Sequence, residues 1–188
     1  MSEAIMVEHT IFETPWGWMG IAATARGVRV IVLPKTSRRA VEQTLRAEGA
    51  TLNGTVKAKG TVLNEARDQL LSFMTGTRST LDFPLDLSAG SAFQRRVWRA
   101  ILRIPYGRVR SYAWVAARVG GQHYARAVGN ALGANPVPII VPCHRVVSCN
   151  GLGGFTGGLP TKRRLLALEG SLAQLNAQAR GTRRGAER

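Results

Sequence analysis

Three short runs near the start of the chain are rich in β-branched and apolar residues, at 10–14, 19–24 and 28–33. Pro15-Trp16-Gly17 and Arg26-Gly27 punctuate them, so they read as consecutive strands joined by tight turns. The apolar period then lengthens. Basic segments at 37–48 and 62–75 read as helices, the second with Val62, Ala66, Leu70 and Phe73 or Met74 at helical spacing. Phe83-Pro84-Leu85-Asp86-Leu87 is extended, because proline disfavours helix on both sides, and a linker is expected at 84–91.

The second half predicts helices. Ser91 is a good N-cap, and Phe93, Val97, Ile101 and Leu102 form an apolar stripe that Ile104-Pro105-Tyr106-Gly107 ends. Ser111 caps a second helix, which runs through Val115 and Val119 to Gly120-Gly121. A third is expected over 122–133, stopping before Asn135-Pro136. Two short helices around a glycine turn make a helix-turn-helix pattern, although helical hairpins are common. On the third helix Tyr124, Val128, Ala131 and Leu132 share a core face, and Arg126, Gly129, Asn130 and Gly133 share the opposite one. That outer face is slim. Glycine inside a helix costs roughly 1 kcal/mol. The slimness therefore serves close helix packing, or entry into a DNA minor groove only about 6 Å wide.

These elements predict an α/β chain of the α+β kind. A small N-terminal domain with an antiparallel sheet and helices is expected over 1–88, and a mostly helical C-terminal domain with the helix-turn-helix over 89–170. Residues 171–188, with Arg180, Arg183, Arg184 and Arg188, are expected to form a flexible basic tail that attracts phosphate in a salt-sensitive way.

Composition narrows the class. The chain has 188 residues and 45% hydrophobic residues, enough for a real core. No apolar run reaches the roughly 18 residues of a membrane span. Residues 1–10 carry Glu3 and Glu8 and lack a signal pattern, so a cytoplasmic protein is expected. The net charge of +15 favours polyanions, nucleic acid first, although a charged surface with a basic tail has the same balance. Only two cysteines occur, Cys143 and Cys149, with three scattered histidines, His9, His123 and His144. A structural zinc site usually takes four such ligands, so no metal and no cofactor are expected.

The candidate chemistry lies in Pro136-Val137-Pro138-Ile139-Ile140-Val141-Pro142-Cys143-His144-Arg145-Val146-Val147, read as a buried strand between prolines. In a regular strand Cys143 and His144 would point to opposite faces, so their cooperation needs a bend, which Pro142 supplies. Without it Cys143 is inert core. A nucleophilic cysteine must become a thiolate, and His144 can take the proton directly or through one water. The imidazolium formed needs a carboxylate. After Asp86 only Glu169 and Glu187 remain, and Glu187 lies in the tail, so elimination gives the relay Cys143, His144, Glu169. The glycine-rich loop at 151–158 lacks the Gly-Lys-Ser/Thr of a P-loop, and its bare backbone suits a flat ligand.

The Pro-Cys-His-Arg-Val-Val block closely resembles the signature of the 6-O-alkylguanine-DNA alkyltransferases (methylated-DNA–protein-cysteine methyltransferases). The likeness runs from about Phe93 to Gly170, through Ser111-Tyr112, Ala125-Arg126-Ala127-Val128-Gly129 and Asn135-Pro136-Val137-Pro138. It implies direct-reversal DNA repair. The partner would be double-stranded DNA containing alkylated guanine, whose damaged nucleotide is flipped out through the minor groove. An alkyl group would then pass irreversibly to Cys143, once per molecule. By the same resemblance Arg126 fills the vacated space, Tyr112 aids extrusion and donates to the ring, and Asn135 holds the turn before the reactive segment. Val146, Phe155 and Thr156 join Tyr112 in lining the base pocket. Ser111, Gly129, Gln94 and Arg95 complete the expected DNA contacts.

Phe155 stands where tyrosine is frequent in that family. Zinc, found in the N-terminal domain of some relatives, is not expected, since the first half has no cysteine and only His9. Cys149 reads as a bystander. A monomer is expected, with cooperative binding on DNA left open. Two other classes remain: a helix-turn-helix regulator or lesion binder with a spectator Cys143, and a Cys–His hydrolase.

Overall fold

Alternating burial and glycine turns set the first sheet. The computed structural model of the chain describes residues 8–49, 62–149, 151–173 and 175. Strands β1 (Glu8–Thr14), β2 (Gly17–Thr24) and β3 (Gly27–Lys35) form an antiparallel sheet in that order. Thr14 closes the first turn, its hydroxyl accepting from Trp16 N and donating to Gly17 O. Helix α1 (Arg38–Ala47), capped by Ser37, packs Val41 and Leu45 against Ala22, Val30 and Val32. Gly20 permits this approach, because a Cβ there would lie 2.5 Å from Val41 Cγ1. Helix α2 (Val62–Met74) buries Leu63, Ala66, Leu70 and Phe73.

The expected linker at 84–91 begins as fixed structure. Val28 N donates to Pro84 O at 2.8 Å and Asp86 N to Val28 O at 2.9 Å, which lays this segment beside β3. Asp86 anchors it. Its buried carboxylate accepts from the Thr24 hydroxyl at 2.7 Å and Ser88 N at 3.1 Å, with Arg26 and Arg29 close by. Proline removed a donor here but left its carbonyl free to pair.

Chain contacts divide the molecule into two compact units. The first is Met1–Ala89 with Pro136–Pro138, and the second is Gly90–Asn135 with Ile139–Arg188. In the second, helix α3 (Ala92–Ile101) starts from a capping box between Ser91 and Gln94. Strand β4 (Arg110–Ser111) leads into α4 (Tyr112–Val119), capped by the Ser111 hydroxyl. The third helix differs from expectation. Gln122–Tyr124 is a 3₁₀ turn, and α5 begins only at Ala125 and ends at Gly133. Tyr124 does not join the core either: it is 38% exposed, its ring lying over Gly120, while Val128, Ala131 and Leu132 are buried as expected. Trp98 ties α3 to α5 by donating its indole N–H to Ala131 O at 2.8 Å.

No strand forms between the prolines. Ile139 adopts φ 77°, a left-handed conformation outside the extended range of a regular strand, and it is buried there. After Pro142 a 3₁₀ turn (Cys143–Arg145) leads into β5 (Val146–Val147), which pairs in parallel with β4. Helix α6 (Leu159–Leu168) follows. The fold continues past Gly170, since Ser171 is fully buried and its hydroxyl donates to Leu166 O. Most of the expected basic tail, 176–188, lies outside the described residues. No helix among the described residues is long and apolar enough to cross a membrane.

Candidate active site

A 3₁₀ turn separates successive side chains by about 120° rather than the opposed directions of a strand. That turn puts Cys143, His144 and Arg145 to three different uses. Cys143 is 7% exposed. Asn135, two residues past the end of α5, donates one side-chain N–H to Cys143 Sγ at 3.1 Å and the other to Val141 O at 2.8 Å. His144 is fully buried and its Nε2 lies 2.8 Å from Glu169 Oε1. Among the described residues His144 Nδ1 has no hydrogen-bond partner.

Glu169, at the C-terminal cap of α6, is shared. Arg145 Nε donates to its Oε1 at 3.1 Å and Oε2 at 2.9 Å, Nη2 donates to Oε1 at 2.9 Å, and Nη1 reaches Ile104 O at 2.7 Å. Gly107 N approaches Oε2 at 3.3 Å, and Tyr106 fixes the neighbouring backbone by donating to Leu168 O. Sequence reasoning found the histidine and the carboxylate but missed the guanidinium that shares the carboxylate with the histidine.

The charge states follow. Burial pushes the Cys143 thiol up, opposed by the Asn135 hydrogen bond and the Lys162 charge. Burial lowers His144 despite the pull of Glu169, with Arg145 and Lys162 lowering it further. Burial opposes the Glu169 carboxylate, yet hydrogen bonds from His144 and Arg145 outweigh it and hold the group below its usual range. The resting set is a thiol, a neutral imidazole and an ionised Glu169–Arg145 pair.

Cys143 forms part of the wall of a cavity of about 310 Å³, together with Tyr112, Gly129, Leu132, Gly133, Gly154, Phe155 and Thr156. The slim face of α5 thus contributes Gly129 and Gly133 to the cavity that contains the sulfur. The Thr156 hydroxyl donates to Gly133 O at 3.1 Å. Tyr112 donates to Gly154 O at 3.5 Å, and burial first raises its pKa, so the phenol keeps its proton. Gly153, at φ 69°, must be glycine, for a Cβ would lie 2.8 Å from the Tyr112 ring. Val146 does not line the cavity: β5 buries it completely, and its carbonyl accepts from Lys162.

Lys162 is the second residue the sequence did not reveal. It is fully buried, donates to Val146 O at 2.6 Å and Gly154 O at 3.1 Å, and burial brings its pKa down to about 8. A signal existed, since Lys162, Leu165, Leu166 and Glu169 follow the i, i+3, i+4, i+7 spacing of one helix face, and all are buried.

The remaining expected residues lie on the surface of the same unit. Arg126 and Asn130 are exposed on α5, and Cys149 is exposed. Gln94 spends its side-chain oxygen on the Ser91 cap, Arg95 curls back to Gly90 O, and Ser111 caps α4. Among the described residues no cluster of three or more His, Cys, Asp or Glu is placed to hold a metal.

A deep cysteine backed by a His–carboxylate pair, beside a helix-turn-helix, defines a DNA-acting cysteine protein. Residues 92–171 match the family model described as 6-O-methylguanine DNA methyltransferase, DNA binding domain. The methylated-DNA–protein-cysteine methyltransferase of Mycolicibacterium paratuberculosis is 44% identical over 167 residues, covering 87% of this chain and 93% of that one. The one from Methanosarcina acetivorans is 35% identical, covering 87% and 98%. The crystal structure of Mycobacterium tuberculosis O6-methylguanine methyltransferase superposes with a TM-score of 0.70 at 38% identity, over 88% of this chain and 94% of that chain. A structure of the Mycobacterium tuberculosis protein in complex with DNA gives 0.69 at 37% identity, over the same shares. The chain belongs to the methylated-DNA–protein-cysteine methyltransferase family.

Proposed function

We propose that this protein repairs DNA by taking the alkyl group of 6-O-alkylguanine onto Cys143. The observation that carries the reading is the position of Sγ in the wall of a cavity shared with the slim helix α5, beside a His144–Glu169 pair. The target oxygen is unreachable in stacked DNA, so the nucleotide must leave the duplex. Exposed Arg126 on α5 fills the gap, and Gly129 lets the backbone approach the minor groove. Ser111, Gln94 and Arg95 border the DNA, their side chains partly committed to capping and backbone contacts. Tyr112, Phe155 and Thr156 enclose the extruded base.

The cysteine proton passes to His144 Nδ1 by way of one water, while Glu169 stabilises the imidazolium. The thiolate attacks the alkyl carbon, an S–C bond forms and the C–O bond breaks. The electron pair stays on the guanine, which is restored on taking a proton, with Tyr112 as the nearest phenolic donor. Asn135 directs its N–H at the sulfur as negative charge develops. A thioether has no good leaving group, so each molecule reacts once. The protein works as a cytoplasmic monomer on double-stranded DNA.

Incubation with a 6-O-methylguanine oligonucleotide, followed by intact-mass and peptide analysis, tests this. One methyl mass on Cys143 is expected. Unchanged mass with retained DNA binding would instead make the chain a lesion binder, and repeated turnover on esters without DNA a hydrolase.

A further inference from the structure

Arg145 has no place in the transfer chemistry above, yet it makes more hydrogen bonds to Glu169 than His144 does. Its guanidinium donates to both carboxylate oxygens, is itself only 10% exposed and is fixed at its far end by Ile104 O at 2.7 Å. A buried arginine used only for stability is a poor choice, because desolvating a charged pair roughly cancels its attraction. Here the pair includes the carboxylate that faces the candidate base.

We propose that Arg145 is a positioning residue that divides the charge of Glu169 and so lets burial keep His144 neutral, with Nδ1 open, until the cysteine proton arrives. This rests on the Cys143–His144–Glu169 reading. Two requirements conflict at a buried His–carboxylate pair. The carboxylate must stand ready to stabilise an imidazolium, but a carboxylate left alone would raise the proton affinity of the imidazole, which would take a proton from water beforehand and cease to be a base. The guanidinium resolves the conflict. It holds Oε1 at 2.8 Å from Nε2, so the Nε2–H tautomer is fixed and the lone pair lies on Nδ1, the atom with no partner among the described residues. The other charged or titratable groups about this histidine are Lys162 and Cys143, with Tyr106 beside Glu169 and Arg145. Lys162 acts on it in the same direction as Arg145.

The test is the pH dependence of single-turnover methyl transfer from a 6-O-methylguanine oligonucleotide, for the parent, Arg145→Gln, Arg145→Lys and Glu169→Gln. With Arg145→Gln the undivided carboxylate raises the proton affinity of His144. The acid limb should move up by about one pH unit or more, so the loss grows as pH falls, to roughly tenfold below the parent's own acid limb, and is smaller at alkaline pH. Arg145→Lys keeps the charge, so its acid limb should stay near the parent's although its rate falls. An equal loss at every pH in Arg145→Gln would overturn the proposal and leave only a structural role. Parental transfer by Glu169→Gln would instead remove the relay itself. Should Arg145→Gln not fold, nitrogen-15 spectra of the unaltered protein decide: His144 protonated only at Nε2 at neutral pH supports the proposal, and a doubly protonated ring refutes it.

Discussion

Asn135 Nδ2 lies 3.1 Å from Cys143 Sγ, and its second hydrogen is given to Val141 O at 2.8 Å. One amide thus fixes the bend that sets Cys143 in the cavity wall and aims a donor at its sulfur. Asn135→Asp removes both donors and sets a carboxylate against the developing thiolate. Transfer to a methylated oligonucleotide should slow by roughly a hundredfold, about the size of one hydrogen bond to a charged group. DNA affinity should change little, and parental single-turnover rates would deny Asn135 any part in the chemistry.

Arg126 projects from α5 on the same helix that contributes Gly129 and Gly133 to the cavity. If it replaces the extruded nucleotide, its loss matters only where there is a stack to leave. Arg126→Ala should slow repair within duplex DNA by roughly tenfold or more, since unstacking costs a few kcal/mol. Reaction with the free modified base should be unaffected. Equal losses on both substrates would refute an extrusion role.

The sequence revealed elements governed by local rules. The three strands lie within a residue or two of their places because glycine turns bound them, and α3 and α4 start at the predicted Ser91 and Ser111 caps. It failed where long-range packing decides. The segment after Asn135 reads as a strand from its β-branched residues, but Ile139 turns left-handed inside the core. Lys162 and Arg145 were passed over because lysine and arginine are rarely buried, and only contacts with carbonyls and a carboxylate far along the chain make them so. His144 and Glu169 were legible as a pair for a different reason: acidic residues are so scarce after Asp86 that elimination sufficed.

Asp86 offers a test confined to the first unit. Burial disfavours its charged form, but hydrogen bonds from Ser88 and Thr24, and the nearby Arg26, hold its pKa below the ordinary value. A depressed carboxylate stabilises the fold above its unfolded pKa, and that stability is lost as pH falls through the folded one. Asp86→Asn should therefore cost roughly 1–3 kcal/mol at neutral pH. The parent and variant should converge in denaturant titrations as pH drops below about 4. A constant difference down to acid would mean that the charge contributes nothing.

Lys162 poses the opposite problem, a cation held out of water by two carbonyls. Its pKa is lowered from 10.5 to about 8, so above that value the folded protein releases a proton that the unfolded chain keeps. The unfolded state then binds more protons, and stability must rise with pH across that window, by up to about 1.4 kcal/mol per unit. Cys143 titrates nearby with the opposite sign, because its raised pKa keeps a proton on the folded state. The comparison therefore belongs in a Cys143→Ala background, where Lys162 titrates without the thiol that interacts with it. Unfolding free energies measured from about pH 7.5 to 9.5 should climb in that variant. They should be flatter once Lys162→Met is added. The same methionine leaves the Val146 and Gly154 carbonyls without their ammonium donor, so with Cys143 intact it should also slow methyl transfer. Identical pH slopes with and without the lysine would mean that the ammonium reaches water and is not the buried cation described here.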